Sequence, residues 1–189
     1  MTRSRRSSRR SRPQPQAILL VDGYNIIGAW PQLTTVRDRD GLEAARHQLV
    51  EALMSYSAVQ LYDTRIVFDA YAQADVGSTD VVSPHVTVCY TNLGQTADSF
   101  IEKTCADFRH DLRKFEQRLI VATSDQAQRL TAQGYGAEWL SAHRLVMEVE
   151  AAAKQAKPRH RPSPSSRQRF LFSSLDPQAQ AQLNKLRFG

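Results

Sequence analysis

The stretch Ile18–Asn25, ILLVDGYN, joins an apolar run to a polar turn that contains one carboxylate. The apolar part begins at Ala17 and ends at Val21. Such a short, unbroken run is typical of a strand that is buried on both faces of a sheet. Asp22 follows directly, so the sequence predicts a buried strand with an acidic side chain at its carboxyl end.

Four further segments have the character of buried strands, and helical periodicity lies between most of them. The strand-like segments are Arg65–Asp69, His85–Tyr90, Arg118–Thr123 and, more weakly, Ala137–Leu140. The helical patterns are Leu42, Ala45, Leu49, Leu53 and Tyr56; Ile101, Cys105, Phe108, Leu112 and Phe115; Ala127, Leu130 and Ala132; and Leu145, Val149 and Ala152 or Ala153, after Ser141 as N-cap. This alternation predicts an α/β fold with a mostly parallel central sheet covered on both faces. The link between the second and third strands has no helical pattern, which allows one antiparallel or offset pairing there.

Charge is distributed unevenly along the 189 residues, whose formal net charge is +6. Residues 1–16 contain six arginines and no acid, and residues 151–189 contain eight basic residues and one acid. The body between them therefore has a net charge of −7. We expect a disordered basic tail at 1–16, a folded domain at 17–156, and a basic linker with a short helix from Asp176 at 157–189. Basic tails of this kind suit a polyanionic partner.

Several classes of protein are disfavoured by the sequence. No apolar run approaches the ~18 residues of a membrane helix. The only cysteines, Cys89 and Cys105, form no CxxC motif, which fits a reduced, cytoplasmic setting and argues against a zinc site. Nucleotide-binding glycine motifs and the GxSxG elbow are absent. The Arg/Ser-rich, acid-free start also resembles an organellar transit segment, and this alternative stays open.

Four acidic residues fall at or near the ends of predicted strands. Asp22 directly follows the first strand, Asp69 ends the second, Asp125 follows the fourth, and Asp98 opens the helix after the third. Residues beyond the carboxyl ends of parallel strands share one crevice. Carboxylates gathered there repel one another, and a hard divalent cation such as Mg²⁺ or Mn²⁺ removes that repulsion. The pattern therefore predicts an acidic metal site.

Helical spacing adds weight to Asp98, because the apolar stripe through Ile101 and Cys105, extended backwards, places it on the core-facing side of its helix. Asn25, three residues after Asp22, is a candidate for holding a phosphate oxygen or a water. Each residue also has a purely structural interpretation. Asp22, Asn25 and Asp69 suit turns, acids suit first helical turns, and Thr123 with Gln126 fits a capping box.

The residues resemble a known family. The run Ile18–Pro31 is similar to the opening of NYN-domain proteins of the YacP-like branch, and later motifs follow in the same order at Arg65–Ala70, Gln95–Glu102 and Val121–Asp125. The resemblance covers about residues 17–153. It implies a PIN-like three-layer α/β sandwich. It also implies metal-dependent endoribonuclease activity on mRNA in association with the ribosome.

The resemblance also assigns roles to residues. The family's acidic centre falls on Asp22, Asp98 and Asp125, with Asn25 beside the first, and Asp69 matches a further motif acid that is a candidate fourth ligand. The expected cofactor is Mg²⁺ or Mn²⁺, and the expected partners are RNA and the ribosome, with no membrane. Residues 1–16 depart from the family pattern, in which the first strand lies almost at the N-terminus.

Two other functions compete with this interpretation. A non-catalytic RNA-binding or ribosome-binding adaptor would keep the fold without turnover. A small-molecule phosphatase would share the α/β form, but Asp22-Gly-Tyr lacks the second acid of an aspartyl-nucleophile DxD motif. We therefore expect hydrolysis of RNA phosphodiester bonds.

Overall fold

The computed structural model describes residues 15–70 and 77–156, in which six strands form one sheet. The strands are β1 (Ala17–Asp22), β2 (Tyr62–Phe68), β3 (Thr79–Ser83), β4 (Val86–Tyr90), β5 (Arg118–Ala122) and β6 (Glu138–Leu140). Their spatial order is β3-β4-β2-β1-β5-β6. All neighbouring pairs are parallel except β3 with β4. The predicted α/β class with a mostly parallel sheet is confirmed.

Six α-helices connect the strands in the described part of the chain. They are α1 (Gly23–Ala29), α2 (Pro31–Asp40), α3 (Leu42–Gln60), α4 (Ala97–His110), α5 (Gln126–Gly134) and α6 (Ala142–Ala156). A 3₁₀ turn, Leu112–Phe115, separates α4 from β5. No helix in residues 15–70 and 77–156 has the length and apolarity that a membrane crossing needs.

The sheet separates two apolar cores, so the fold has three layers. On one face, Leu19 and Val21 of β1 pack in a cluster with α3 and α6, which contribute Leu49 and Leu145. On the other face, Leu20 packs in a second cluster with residues of α4 and α5. Every residue of β1 is buried because it lies in the middle of this sandwich. The strand's unbroken apolar run is explained by this position.

The structure differs from the sequence-based expectation at one strand pairing and at the end of one helix. The antiparallel pairing is not between the second and third predicted strands, since β2 and β4 are parallel. It lies instead between β4 and the edge strand β3, which is largely exposed and has no buried periodicity. The helix predicted to reach Phe115 ends at His110, because Asp111 accepts a hydrogen bond from the N–H of Arg113 and starts the 3₁₀ turn. Leu112 and Phe115 are consequently exposed.

The chain termini lie mostly outside the described residues. The tail predicted at residues 1–16 and the linker and helix at 157–189 fall there, apart from Pro15 and Gln16. Gln16 donates its N–H to the carbonyl of Leu61 and accepts from the N–H of Arg118. These two bonds extend the sheet one residue before β1, so any change to the tail must spare Gln16.

Candidate metal centre at the carboxyl edge of the sheet

Asp22 lies at the junction of β1 and α1 and is buried. It is the N-cap of α1, and its Oδ1 accepts a hydrogen bond from the N–H of Asn25 at 3.1 Å. The following residue, Gly23, is packed against Phe68, whose ring would lie 2.2 Å from a Cβ added there. Only glycine allows the chain to turn this closely into α1. The strand, the turn and the cap together hold the Asp22 carboxylate at the sheet edge.

Asp69 and Asp98 meet at the start of α4. Asp69 follows β2, and its Oδ1 accepts a hydrogen bond from the N–H of Ala97, the first residue of α4. Asp98 is the next residue of the helix and is exposed to solvent. The prediction that Asp98 lies on the core-facing side of its helix was therefore wrong, because the residue is exposed rather than buried. Asp98 lines an open pocket, while Ala97 and Ile101 are buried beside it.

Asp125 begins α5 on the far side of β1. Its side chain accepts a hydrogen bond from the N–H of Gln128 at 2.9 Å, and its own N–H donates to Oγ1 of Thr123 at 3.0 Å. Asp125 is thus the N-cap of α5, and the alternative capping box at Thr123 and Gln126 is wrong. Asp125 is exposed to solvent.

Asn25 joins α1 to the loop after β5. Its Oδ1 accepts hydrogen bonds from both the N–H and the hydroxyl of Ser124, each at 2.7 Å. This oxygen is therefore already used to hold the loop that leads to Asp125. The part of Asn25 left for the predicted contact with a phosphate or a water is its NH₂ group.

Gln128 is a central residue of the site that the sequence analysis missed. Its Nε2 donates to Oδ2 of Asp22 at 3.3 Å and also to Oδ1 of Asp98. The apolar pattern placed Leu130 on the buried face of this helix, but Leu130 is 60% exposed and the buried residues are Gln128 and Ala132. Gln128 and Ala132 are four residues apart and so lie on the same face of a helix, which was the available sign in the sequence that Gln128 is buried with Ala132.

The electrostatics of the site reflect crowded carboxylates. Burial raises the pKa of Asp22 to about 6, and the negative charges of Asp98 and Asp69 add to the rise. The Asn25 N–H and the Gln128 amide oppose it by donating to the charged form. The pKa of Asp98 is also raised, first by partial loss of water and then by the charges of Asp125 and Asp69. Two of the other predicted acids, Asp69 and Asp125, therefore act on Asp98 through their charge.

Comparison with known proteins decides the family. A family model described as the YacP-like NYN domain matches residues 19–188. The chain belongs to the YacP-like NYN-domain family. It is 35% identical over 144 residues to the uncharacterized protein YacP of Bacillus subtilis strain 168, covering 76% of this chain and 81% of that protein.

Solved structures of Rae1 (YacP) from Bacillus subtilis agree with this assignment. One aligns with a TM-score of 0.63 at 32% identity and covers 91% of this chain and 95% of Rae1. A single-substitution variant of Rae1 aligns with a TM-score of 0.61 at 29% identity, covering 89% of this chain and 99% of that one. The NYN match begins after the arginine-rich tail and extends past residue 153, into the basic C-terminal segment.

The NYN-domain site has a donor set that fits a hydrated hard cation. Within the described ranges, no three His, Cys, Asp or Glu side chains are grouped closely enough to hold one ion by themselves. Asp22 and Asp98 are nevertheless held by the same amide nitrogen. Mg²⁺ commonly uses one or two carboxylates and keeps several waters. The pair Asp22 and Asp98 fits that mode, with Asp69 and Asp125 placed around it.

A small pocket continues from this site between α4 and α5, with a volume of about 200 Å³. Asp98 and Gln128 lie in its lining, together with the buried side chains of Ile101 and Cys105. The carboxylate edge is therefore open on the α4–α5 side rather than sealed by packing.

Proposed function

We propose that this protein is a metal-dependent endoribonuclease that hydrolyses RNA phosphodiester bonds. The observation that carries the proposal is the convergence of four carboxylates at one sheet edge, where Asp22, Asp98 and Asp125 all hydrogen-bond to Gln128. Membership of the YacP-like NYN family, whose fold is nuclease-like, supports an RNA-related role. The family resemblance extends the proposal to mRNA at the ribosome, in the cytoplasm.

Each residue has a proposed task in the reaction. Asp22 and Asp98 would hold Mg²⁺ or Mn²⁺, and Asp125 and Asp69 would orient its waters. The bound cation would lower the pKa of a water and neutralise charge that develops on the phosphate. Asn25 would direct its NH₂ group to a phosphate oxygen, because its oxygen is held by Ser124. The fixed hydrogen bonds of these side chains keep the geometry before RNA arrives.

The basic segments explain how RNA would approach an acidic body. The body carries a net charge of −7, which repels a polyanion, whereas residues 1–16 contain six arginines. Basic residues that contact phosphates bind RNA by releasing counterions and add little sequence choice. RNA is therefore held by the tails and cleaved at the carboxylate edge.

A non-catalytic RNA-binding or ribosome-binding adaptor is the second candidate function. It is favoured by the absence, among residues 15–70 and 77–156, of a ready-made group of three metal-binding side chains. An adaptor would bind RNA or ribosomes with the same affinity whether or not a divalent cation is present.

Cleavage mapping on cellular RNA separates the two candidates. The assay is run with and without ribosomes, because the family resemblance extends the proposal to mRNA at the ribosome. Wild-type protein should cut RNA with Mn²⁺ in at least one of the two conditions, and EDTA should abolish the cleavage. Asp98→Asn should lose activity, whereas Asp107→Asn, an exposed acid on the same helix, should retain it. Metal-independent binding without cleavage would establish the adaptor and refute the nuclease.

A further inference from the structure

Gln128 is bonded to each of the three carboxylates that we propose as the core of the site. Its backbone N–H donates to Asp125, and its side-chain amide donates to both Asp22 and Asp98. These acids come from α5, β1 and α4, which lie on different parts of the sheet edge. One residue of α5 therefore ties together three separate elements.

The chemistry of an amide suits this position. Its NH₂ group has two hydrogens, one for each carboxylate, and carries no charge that would compete with a cation. The opposite orientation would direct the carbonyl oxygen at two carboxylates. In the observed orientation the Oε1 atom is buried and has no hydrogen-bond partner in the described structure. An unpaired buried oxygen costs free energy, so packing alone gives no reason to prefer glutamine here to an apolar side chain.

We propose that Gln128 is a positioning residue that sets the spacing of Asp22 and Asp98 for a divalent cation. This inference rests on the proposed function, because it concerns the same metal site. Gln128 is buried, with an exposed fraction of only 7%. A buried side chain loses little freedom when it holds its partners, and so it can keep two mutually repelling carboxylates at a fixed separation. Loss of such outer-sphere hydrogen bonds commonly weakens metal binding by about 10- to 100-fold.

The first test is calorimetric titration of the full-length protein with Mn²⁺. Gln128→Met keeps an unbranched side chain of similar length but has no donor, and it should weaken Mn²⁺ binding by at least about tenfold. Gln126→Met is the matched control, because Gln126 is an exposed glutamine two residues earlier in α5. The control should bind Mn²⁺ as wild type does. Equal Mn²⁺ affinity in wild type and Gln128→Met would overturn the inference and leave the proposed metal site intact.

The second test uses thermal unfolding with and without Mn²⁺. Gln128→Glu places a third carboxylate against Asp22 and Asp98, so its Tm in EDTA should fall below that of wild type. Mn²⁺ should then raise the Tm of Gln128→Glu by more than it raises the wild-type Tm. If Gln128 only stabilises the fold, Gln128→Glu should lower the Tm by the same amount with and without Mn²⁺. That result would overturn the inference. Wild-type protein that binds no Mn²⁺ would overturn both the inference and the proposed metal site.

Discussion

At the scale of single residues, Asp22 is an acid in a place that disfavours its charge. It is buried, its pKa is raised to about 6, and two other carboxylates contribute to that rise. Among the described residues, two hydrogen bonds, from Asn25 and Gln128, favour the ionised form. A protein that kept this residue only as a helix cap could use asparagine with no electrostatic penalty. The penalty is understandable if a cation binds there.

Asp22→Asn should therefore stabilise the metal-free protein at neutral pH. The folded-state pKa lies above the ordinary value of 3.8, so the folded protein keeps its proton where the unfolded chain has lost it. Wild-type stability should fall as pH rises from about 4 to about 6, by as much as ~3 kcal/mol, and then level off. Urea unfolding in EDTA across pH 4 to 7.5 would measure the difference between wild type and variant. A difference that is constant over this range would contradict the assignment.

Asp69 differs from Asp22 because its one observed bond is to the backbone of α4. Its Oδ1 accepts from the N–H of Ala97, directly before Asp98. Asp69→Asn can keep that bond and should retain nuclease activity within about tenfold, whereas Asp69→Ala should lower the Tm and the activity together. Parallel measurement of RNA cleavage and Tm for the two variants checks this. A complete loss of activity in Asp69→Asn at unchanged Tm would instead make Asp69 a direct metal ligand.

At the scale of elements, the entry into α1 places the first carboxylate. Gly23 leaves room for the Phe68 ring, which is fully buried and belongs to the neighbouring strand β2. Tyr24 then packs against the same ring with its centroid 5.0 Å away. The position of Asp22 is therefore set by how closely α1 approaches β2.

Gly23→Ala should destabilise the protein by several kcal/mol, because a methyl group would overlap the buried Phe68 ring. Gly28→Ala lies in the same helix, where an added Cβ meets nothing within 4 Å. It should leave stability unchanged or increase it by up to about 1 kcal/mol, since alanine favours helix more than glycine does. Chemical denaturation of both variants gives the comparison. Similar stabilities of the two variants would show that the structure can accommodate a methyl group next to Phe68, contrary to the prediction.

The elements also show what the sequence could predict. Unbroken apolar runs predicted β1 and β5 because central strands are buried on both faces. Helix α2 was missed because its sequence is mostly polar and only Leu33 is buried. Strand β3 was missed because its residues are mostly exposed, so its sequence shows no alternation of buried and exposed positions.

The candidate site could also be predicted only in part from the sequence. The acids could be found because strand ends in a parallel sheet share one edge, a rule that needs no side-chain detail. Gln128 could not, because its place among the carboxylates depends on the rotation of α5. The apolar residue Leu130 suggested a different buried face from the one observed.

At the scale of the whole molecule, charge is separated between a negative body and basic ends. All six arginines of the first sixteen residues precede Pro15. The carbonyl of Pro15 accepts from the side chain of Gln117, and Gln16 extends the sheet. Removal of residues 2–14 would therefore take away the whole arginine cluster while sparing the hydrogen bonds that hold residues 15 and 16.

Deletion of residues 2–14 should weaken RNA binding and flatten its dependence on salt, with little change in Tm. Each arginine that contacts a single-stranded phosphate contributes about 0.7 to the slope of log K against log salt. If half of the six engage, the slope should decrease by about 2 in magnitude. A full-length variant with the six arginines replaced by glutamine is the matched control, and it should behave like the deletion because charge is what releases counterions. Binding isotherms at several salt concentrations decide the matter. Identical slopes for all three proteins would exclude an RNA tether and favour a targeting role for the segment. Weaker RNA binding in the deletion alone would assign the contact to the backbone of the segment rather than to its charge.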